Sequence, residues 1–263
     1  VQPANLTQWT SFLTKLQTAT EIVRIGLVGK YVELPDAYKS IIESLIHASA
    51  YNERKLKLEL IQSEKLTAEN VTKTLSGLDG ILIAPGFGDR GIEGKFIACQ
   101  YARENNIPTL GICLGMQCMV IDIARNMLGY TDANSTEFNE RTSNNVIDMM
   151  EQQKGLSVKG GTMRLGAYDC ELEKHSLAYS IYGKKHIQER HRHRYEFNNQ
   201  YKQVFEDIGV KFSGINPDTN LAEIIEIPSL KWYIGVQFHP EYSSTAETPH
   251  PLFINFVKAA ISK

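Results

Sequence analysis

Four short strand-like runs, three of them followed by residues at helical spacing, restrict the first half of this chain to few folds. Ile22-Val23-Arg24-Ile25-Gly26-Leu27-Val28-Gly29 reads as a first strand. Tyr38, Ile41, Ile42, Leu45 and Ile46 then recur at helical spacing, with Asp36 placed to cap that helix. Lys55 to Ile61 is a second strand. Gly80-Ile81-Leu82-Ile83-Ala84-Pro85 is a third, fully apolar and therefore expected to be central. Gly91 to Asn105 is helical, Thr109-Leu110-Gly111-Ile112 a fourth strand, and Leu114 to Met127 a helix. Parallel strands need a crossover between them, so this alternation predicts a doubly wound, mostly parallel α/β sheet.

The pattern changes after Gly129. Thr131 to Gly161 is polar and weakly periodic, as in long loops or a lid. Met163 to Leu172, Ile187 to Phe197, Val210 to Ile215, Leu221 to Ile227 and Trp232 to Phe238 read as strands, several of them antiparallel. Pro251 to Ile261 closes the chain as a helix. Leu6, Trp9, Leu13 and Leu16 form one face of a short N-terminal helix.

The 263 residues, 42% of them hydrophobic, allow one large α/β domain or two small ones. With 28 Lys+Arg against 30 Asp+Glu, nothing global favours nucleic acid or an anionic membrane as partner. No apolar run approaches the ~20 residues of a membrane span. Val1-Gln2-Pro3-Ala4-Asn5 has neither a starting Met nor the basic and apolar regions of a signal peptide, so a piece of a longer protein is expected. Cys99, Cys113, Cys118 and Cys170 lack pairing or metal-ligand spacing, which points to a reducing, cytoplasmic setting and to no metal.

Chemistry concentrates at Gly111-Ile112-Cys113-Leu114-Gly115. A cysteine at the turn from a strand into a helix is presented as in the G-x-S-x-G nucleophile elbow, and the helix N-terminus favours its anion. The N–H of Leu114 is a candidate oxyanion donor. A second should come from a neighbouring strand end, where Pro85-Gly86-Phe87-Gly88 is well placed. An isolated Cys between glycines can also be an inert core residue. The far end of the chain argues against that: Trp232 to Phe238 is a strand, His239 follows it, Pro240 fixes a bend, and Glu241 can fold back on the imidazole.

These residues resemble the class I (triad) glutamine amidotransferases. Val28-Gly29-Lys30-Tyr31-Val32-Glu33-Leu34, Asp36-Ala37-Tyr38-Lys39-Ser40, Gly160-Gly161-Thr162-Met163-Arg164-Leu165-Gly166 and Glu189-Arg190-His191-Arg192-His193-Arg194-Tyr195-Glu196 are similar, within that class, to the glutaminase domains of the CTP synthase family. The resemblance implies a flavodoxin-like fold with a mostly parallel central sheet, flanking helices and a smaller antiparallel sheet. It implies a glutamine amidotransferase domain over 21–263 and, over 1–20, a linker helix from a missing N-terminal synthetase domain.

By the same resemblance Cys113, His239 and Glu241 are the triad, and Gly86 and Leu114 supply the oxyanion N–H groups. Glu137 binds the α-amino group of glutamine and Arg194 its α-carboxylate. Gln117 lies near the substrate and Phe87 walls the pocket. One carboxylate and one guanidinium suit a zwitterion independently of any family. Glutamine would yield glutamate and ammonia. The domain itself would need no cofactor. ATP, Mg and UTP belong to the synthetase domain, GTP is the activator, and the full enzyme is a homotetramer. Pro85, where the family has Gly, cannot donate an N–H, and residues 149–159 depart from the family pattern. A γ-glutamyl hydrolase of the same fold, or an inactive regulatory module, are the competing readings; the CTP-synthase-like segments oppose the first and the intact triad the second.

Overall fold

The computed structural model of the protein describes residues 4–34, 36–149 and 163–262. Five parallel strands form half of a nine-stranded sheet: β2 (Lys55–Gln62), β1 (Ile22–Gly29), β3 (Gly80–Ile83), β4 (Thr109–Ile112) and β11 (Tyr233–Val236), in that order. The same sheet continues antiparallel through β10 (Ala222–Glu226), β9 (Lys211–Ile215), β6 (Arg164–Leu172) and β7 (His186–His193). β5 (Ile147–Met149) and β8 (Tyr195–Phe197) make a separate two-stranded antiparallel sheet.

Every residue of β3, β4 and β11 is buried, as central strands covered on both faces require. Alternate side chains feed two cores. Ile81 and Ile83 pack with Phe96 of α4 (Ile92–Glu104) and Met116 and Met119 of α5 (Leu114–Asn126). Leu82, Leu110 and Ile112 pack on the other face with Leu45 of α2 (Lys39–Tyr51) and with Phe253 and Phe256 of α8 (Pro251–Ile261). α1 (Thr7–Thr18) lies against α2, where the Phe12 ring meets His47 edge-on. No helix among the described residues is long and apolar enough to cross a membrane.

Two expectations change. Asp36 does not cap α2 with its side chain: the helix starts at Lys39, and the Asp36 carbonyl accepts from the Lys39 N–H in a preceding turn. The run 187–197 is not one strand, because the chain leaves β7 for the small sheet at Arg194. The short helices α3 (Val71–Leu75), α6 (Leu177–Tyr182) and α7 (Lys202–Asp207) carry too few turns for a periodic signal. Of the divergent stretch 149–159 only Met149 is among the described residues; residues 150–159 and Gly160-Gly161-Thr162 lie outside them.

Candidate active site

The C-terminal ends of β3, β4 and β11 lie side by side, with Ile83 opposite Gly111 and Val236 opposite Ile112. Side chains just beyond such ends collect in one crevice. Cys113 follows β4 and opens α5 with φ +53° and ψ −107°, a conformation that costs a non-glycine residue about 1–3 kcal/mol. Its N–H donates to the Val236 carbonyl at 2.7 Å, which pins the turn to β11. The flanking glycines are steric necessities: a Cβ on Gly115 would sit 2.1 Å from the Ile83 carbonyl oxygen, and one on Gly111 would sit 2.2 Å from the Met119 sulfur.

His239 leaves β11 at the same level, and its N–H donates to the Arg190 carbonyl at 2.8 Å. Pro240 opens a single 3-10 turn, Pro240–Ser243, that swings Glu241 back toward the ring. Glu241 Oε1 lies 2.7 Å from His239 Nδ1, and both residues are buried. The ring stacks on Tyr242 with centroids 5.2 Å apart. Burial alone would push the His239 pKa down; attraction to the facing Cys113 sulfur and the bond to Glu241 outweigh it and hold the pKa raised. Nδ1 is engaged by Glu241, which leaves Nε2, buried and without another hydrogen-bond partner among the described residues, for the sulfur.

The loop after β3 is held from three sides. Lys95 Nζ, on α4, donates to the Ala84 carbonyl at 2.5 Å. Lys30 Nζ donates to the carbonyls of Phe87 and Gly88. Glu137 Oε1 accepts from the Gly88 N–H at 2.8 Å. The Gly86 N–H takes part in none of these bonds. The N–H of Leu114, in the first turn of α5, has no partner within the helix.

A cavity of about 260 Å³ opens beside the sulfur, lined by Gly86, Phe87, Cys113, Gln117, Glu137 and Arg194 among others. It thus gathers the side chains expected to bind substrate, while His239 and Glu241 line a second cavity of about 270 Å³ that meets the first at Cys113, Gly86 and Phe87. Leu114 lines neither; its side chain is buried in the core. Burial raises the Glu137 pKa, opposed by the Gly88 N–H, Lys30 and Arg194. Phe87 is 45% exposed at the mouth. Gln117 is buried, and its amide donates to the Tyr195 carbonyl at 2.8 Å and to Gln237 Oε1 at 3.2 Å.

Three residues of this site escaped sequence reasoning. Lys30 stood out only as one residue of a segment of family resemblance, Lys95 as one polar position on a helix, and Gln237 as one residue of an apolar strand. Gln237 lies two residues before His239 in the same run, and that proximity was the available signal.

The family model for glutamine amidotransferase class-I matches residues 33–259. CTP synthase of Bacteroides fragilis is 63% identical over 255 residues, covering 97% of this chain and 48% of that protein. CTP synthase of Flavobacterium johnsoniae is 56% identical over 258 residues, covering 98% of this chain and 48% of that protein. The chain therefore spans about half the length of these curated relatives. The solved glutaminase domain of Trypanosoma brucei CTPS, which has acivicin bound, is 39% identical and superposes with a TM-score of 0.85 over 90% of this chain and 93% of that one. The chain belongs to the class-I glutamine amidotransferases, among the glutaminase domains of CTP synthases.

Proposed function

We propose that Cys113, His239 and Glu241 hydrolyse the side-chain amide of glutamine. The observation that carries this reading is the convergence, at three adjacent strand ends, of a strained buried cysteine and a Glu-held imidazole beside a cavity lined by the Glu137 carboxylate and the guanidinium groups of Arg192 and Arg194. Glu137 and Arg194 take the α-amino and α-carboxylate groups, Gln117 and Phe87 wall the side chain, and the γ-amide reaches the sulfur. The thiolate adds to the amide carbon, and the N–H groups of Gly86 and Leu114 hold the oxyanion. The imidazolium of His239 gives its proton to the departing nitrogen as the C–N bond breaks, leaving a thioester and ammonia. His239 then takes a proton from water, whose oxygen attacks the thioester; glutamate leaves and the thiolate is restored. Glu241 fixes the ring and offsets its charge throughout.

The relatives' greater length supports a further reading: ammonia passes to a synthetase domain that aminates UTP to CTP with ATP and Mg, within a cytoplasmic homotetramer activated by GTP. Residues 1–20 would then link the two domains.

Two measurements test this. An electrophilic glutamine analogue should label Cys113 and spare Cys99, Cys118 and Cys170; burial raises all three of those thiols, Cys118 to about 12. Cys113→Ala should abolish glutamate release, and in the longer protein remove CTP formation from glutamine but not from added ammonium. Labelling of another cysteine first would overturn the nucleophile. Loss of CTP formation from both nitrogen sources in a folded variant would overturn the division of labour.

A further inference from the structure

The register that sets Val236 beside Ile112 puts the next residue, Gln237, beside Cys113. Gln237 is fully buried. Its Nε2 lies 3.7 Å from Cys113 Sγ, and the sulfur is the only side-chain or carbonyl acceptor of that amide nitrogen among the described residues. The orientation of the amide is not arbitrary. Gln117 Nε2, which donates to the Tyr195 carbonyl, also donates to Gln237 Oε1 at 3.2 Å. An amide whose oxygen is taken by a donor must turn its N–H₂ the other way, here toward the sulfur. The Gln237 N–H donates to the Glu223 carbonyl at 2.9 Å and holds the residue in the strand line.

We propose that Gln237 is a further catalytic residue, its carboxamide holding the Cys113 sulfur through an N–H···S hydrogen bond. The inference rests on Cys113 being the nucleophile of the proposed reaction. The sulfur has two kinds of neighbour. The Arg192 carbonyl, 4.0 Å away, can accept from the neutral thiol. Gln237 can only donate, so it favours the thiolate, as His239 does from its own side. A donor fixed by a second buried amide needs no reorganisation when charge appears on the sulfur. The chain Tyr195 carbonyl, Gln117, Gln237, Cys113 also couples the wall of the substrate cavity to the position of the nucleophile, since Gln117 and Tyr195 both line it.

The test is the pH dependence of Cys113 alkylation by iodoacetamide, in which thiolate displaces iodide, followed by mass spectrometry on the intact protein. It needs no glutamine turnover. Gln237→Leu removes the donor. Gln237→Glu keeps the shape and the acceptor for Gln117, so it carries the test if the leucine variant does not fold, and sets a carboxylate against the thiolate. The alkylation midpoint should rise by about one pH unit in Gln237→Leu, the scale of one hydrogen bond to a charged group, and further in Gln237→Glu. Disturbed packing would change the alkylation rate at every pH alike and leave the midpoint where it was. Coincident midpoints in the wild type and either folded variant overturn the role of Gln237. Wild-type labelling at another cysteine would instead sink the nucleophile assignment, and this inference with it.

Discussion

The two halves of the sheet build one pocket by different physics. In the parallel half, placement comes from the backbone: three neighbouring strand ends, two glycines with no room for a Cβ, and a cysteine forced to positive φ. In the antiparallel half it comes from buried charge. Arg164 on β6 lies 2.6 Å from Glu223 of β10 and 3.8 Å from Glu196 of β8, and its guanidinium sits over the Tyr168 ring. Burial raises Glu223 to about 7 against the opposing pull of Arg164; burial and then Glu223 raise Glu196 to about 8. His191 and His193 touch at 2.8 Å, and burial drives both pKa values down, that of His193 to about 3. Beside this cluster the chain changes sheets, and Arg194 stands at the break. Backbone geometry fixes the position of Cys113, whereas a paired cation anchors the strand crossing that presents the Arg194 guanidinium to the cavity.

The largest effect should come from breaking the anchor. Arg164→Met leaves Glu223, the carboxylate it bonds at 2.6 Å, buried without its cation, a loss of about 3–5 kcal/mol. Urea unfolding at neutral pH measures it. Adding Glu223→Gln should recover a large part, because the penalty belongs to the stranded Glu223 carboxylate. A stability within about 1 kcal/mol of wild type in Arg164→Met would mean that the antiparallel half does not depend on this charge.

A smaller effect separates binding from folding. Arg194→Ala should raise KM for glutamine by roughly 30-fold or more, since truncating one side of a desolvated charge pair costs at least about 2 kcal/mol. Glu137→Ala should act in the same direction, with an added loss from freeing the Gly88 N–H it accepts. Stability in the arginine variant should move little, unlike that of Arg164→Met. Unchanged glutamine kinetics in both variants would refute the pocket as drawn.

This contrast also decides what the sequence could tell. Strand and helix periodicity sufficed for the parallel half apart from the short α3, because each element there is continuous in sequence and its glycines mark turns that only glycine fits. Cys113, His239 and Glu241 were legible for the same reason: each sits at an element boundary with a local signature. The Arg164 cluster was not. Its members come from strands up to 59 residues apart, and no local pattern distinguishes a buried Glu223 from a solvated one. Lys95 and Gln237 were hidden similarly, by lying inside elements whose periodicity called for nothing unusual. Asp36 shows the reverse error, a good capping residue that the turn before α2 leaves unused.

The finest test turns on a buried cation with the opposite circumstances. Lys95 is fully buried like Arg164, yet no carboxylate among the described residues forms an ion pair with it; its ammonium donates only to the Ala84 carbonyl. Burial lowers its pKa to about 8, an effect partly offset by nearby thiols. Below pH 8 the folded and unfolded chains both carry the proton, and the fold bears the full penalty of a buried charge, about 3 kcal/mol for a drop from 10.5 to about 8. Between about 8 and 10.5 the unfolded chain binds more protons than the folded one, so this residue makes stability rise with pH. Lys95→Met removes the penalty and the slope together, but leaves the Ala84 carbonyl without its donor, which costs about 1–3 kcal/mol in return. The variant should therefore be more stable than wild type by about 1–2 kcal/mol at pH 7, and this advantage should vanish by about pH 10. Its glutamine hydrolysis should fall, because the loop bearing Gly86 loses one of its three tethers. Denaturant unfolding of both proteins at several pH values measures the difference directly, and the difference cancels titrations that the two share. A variant less stable than wild type at pH 7, with a gap that does not change with pH, would show that Lys95 is as well compensated as Arg164 and that the contrast between the two halves does not extend to it.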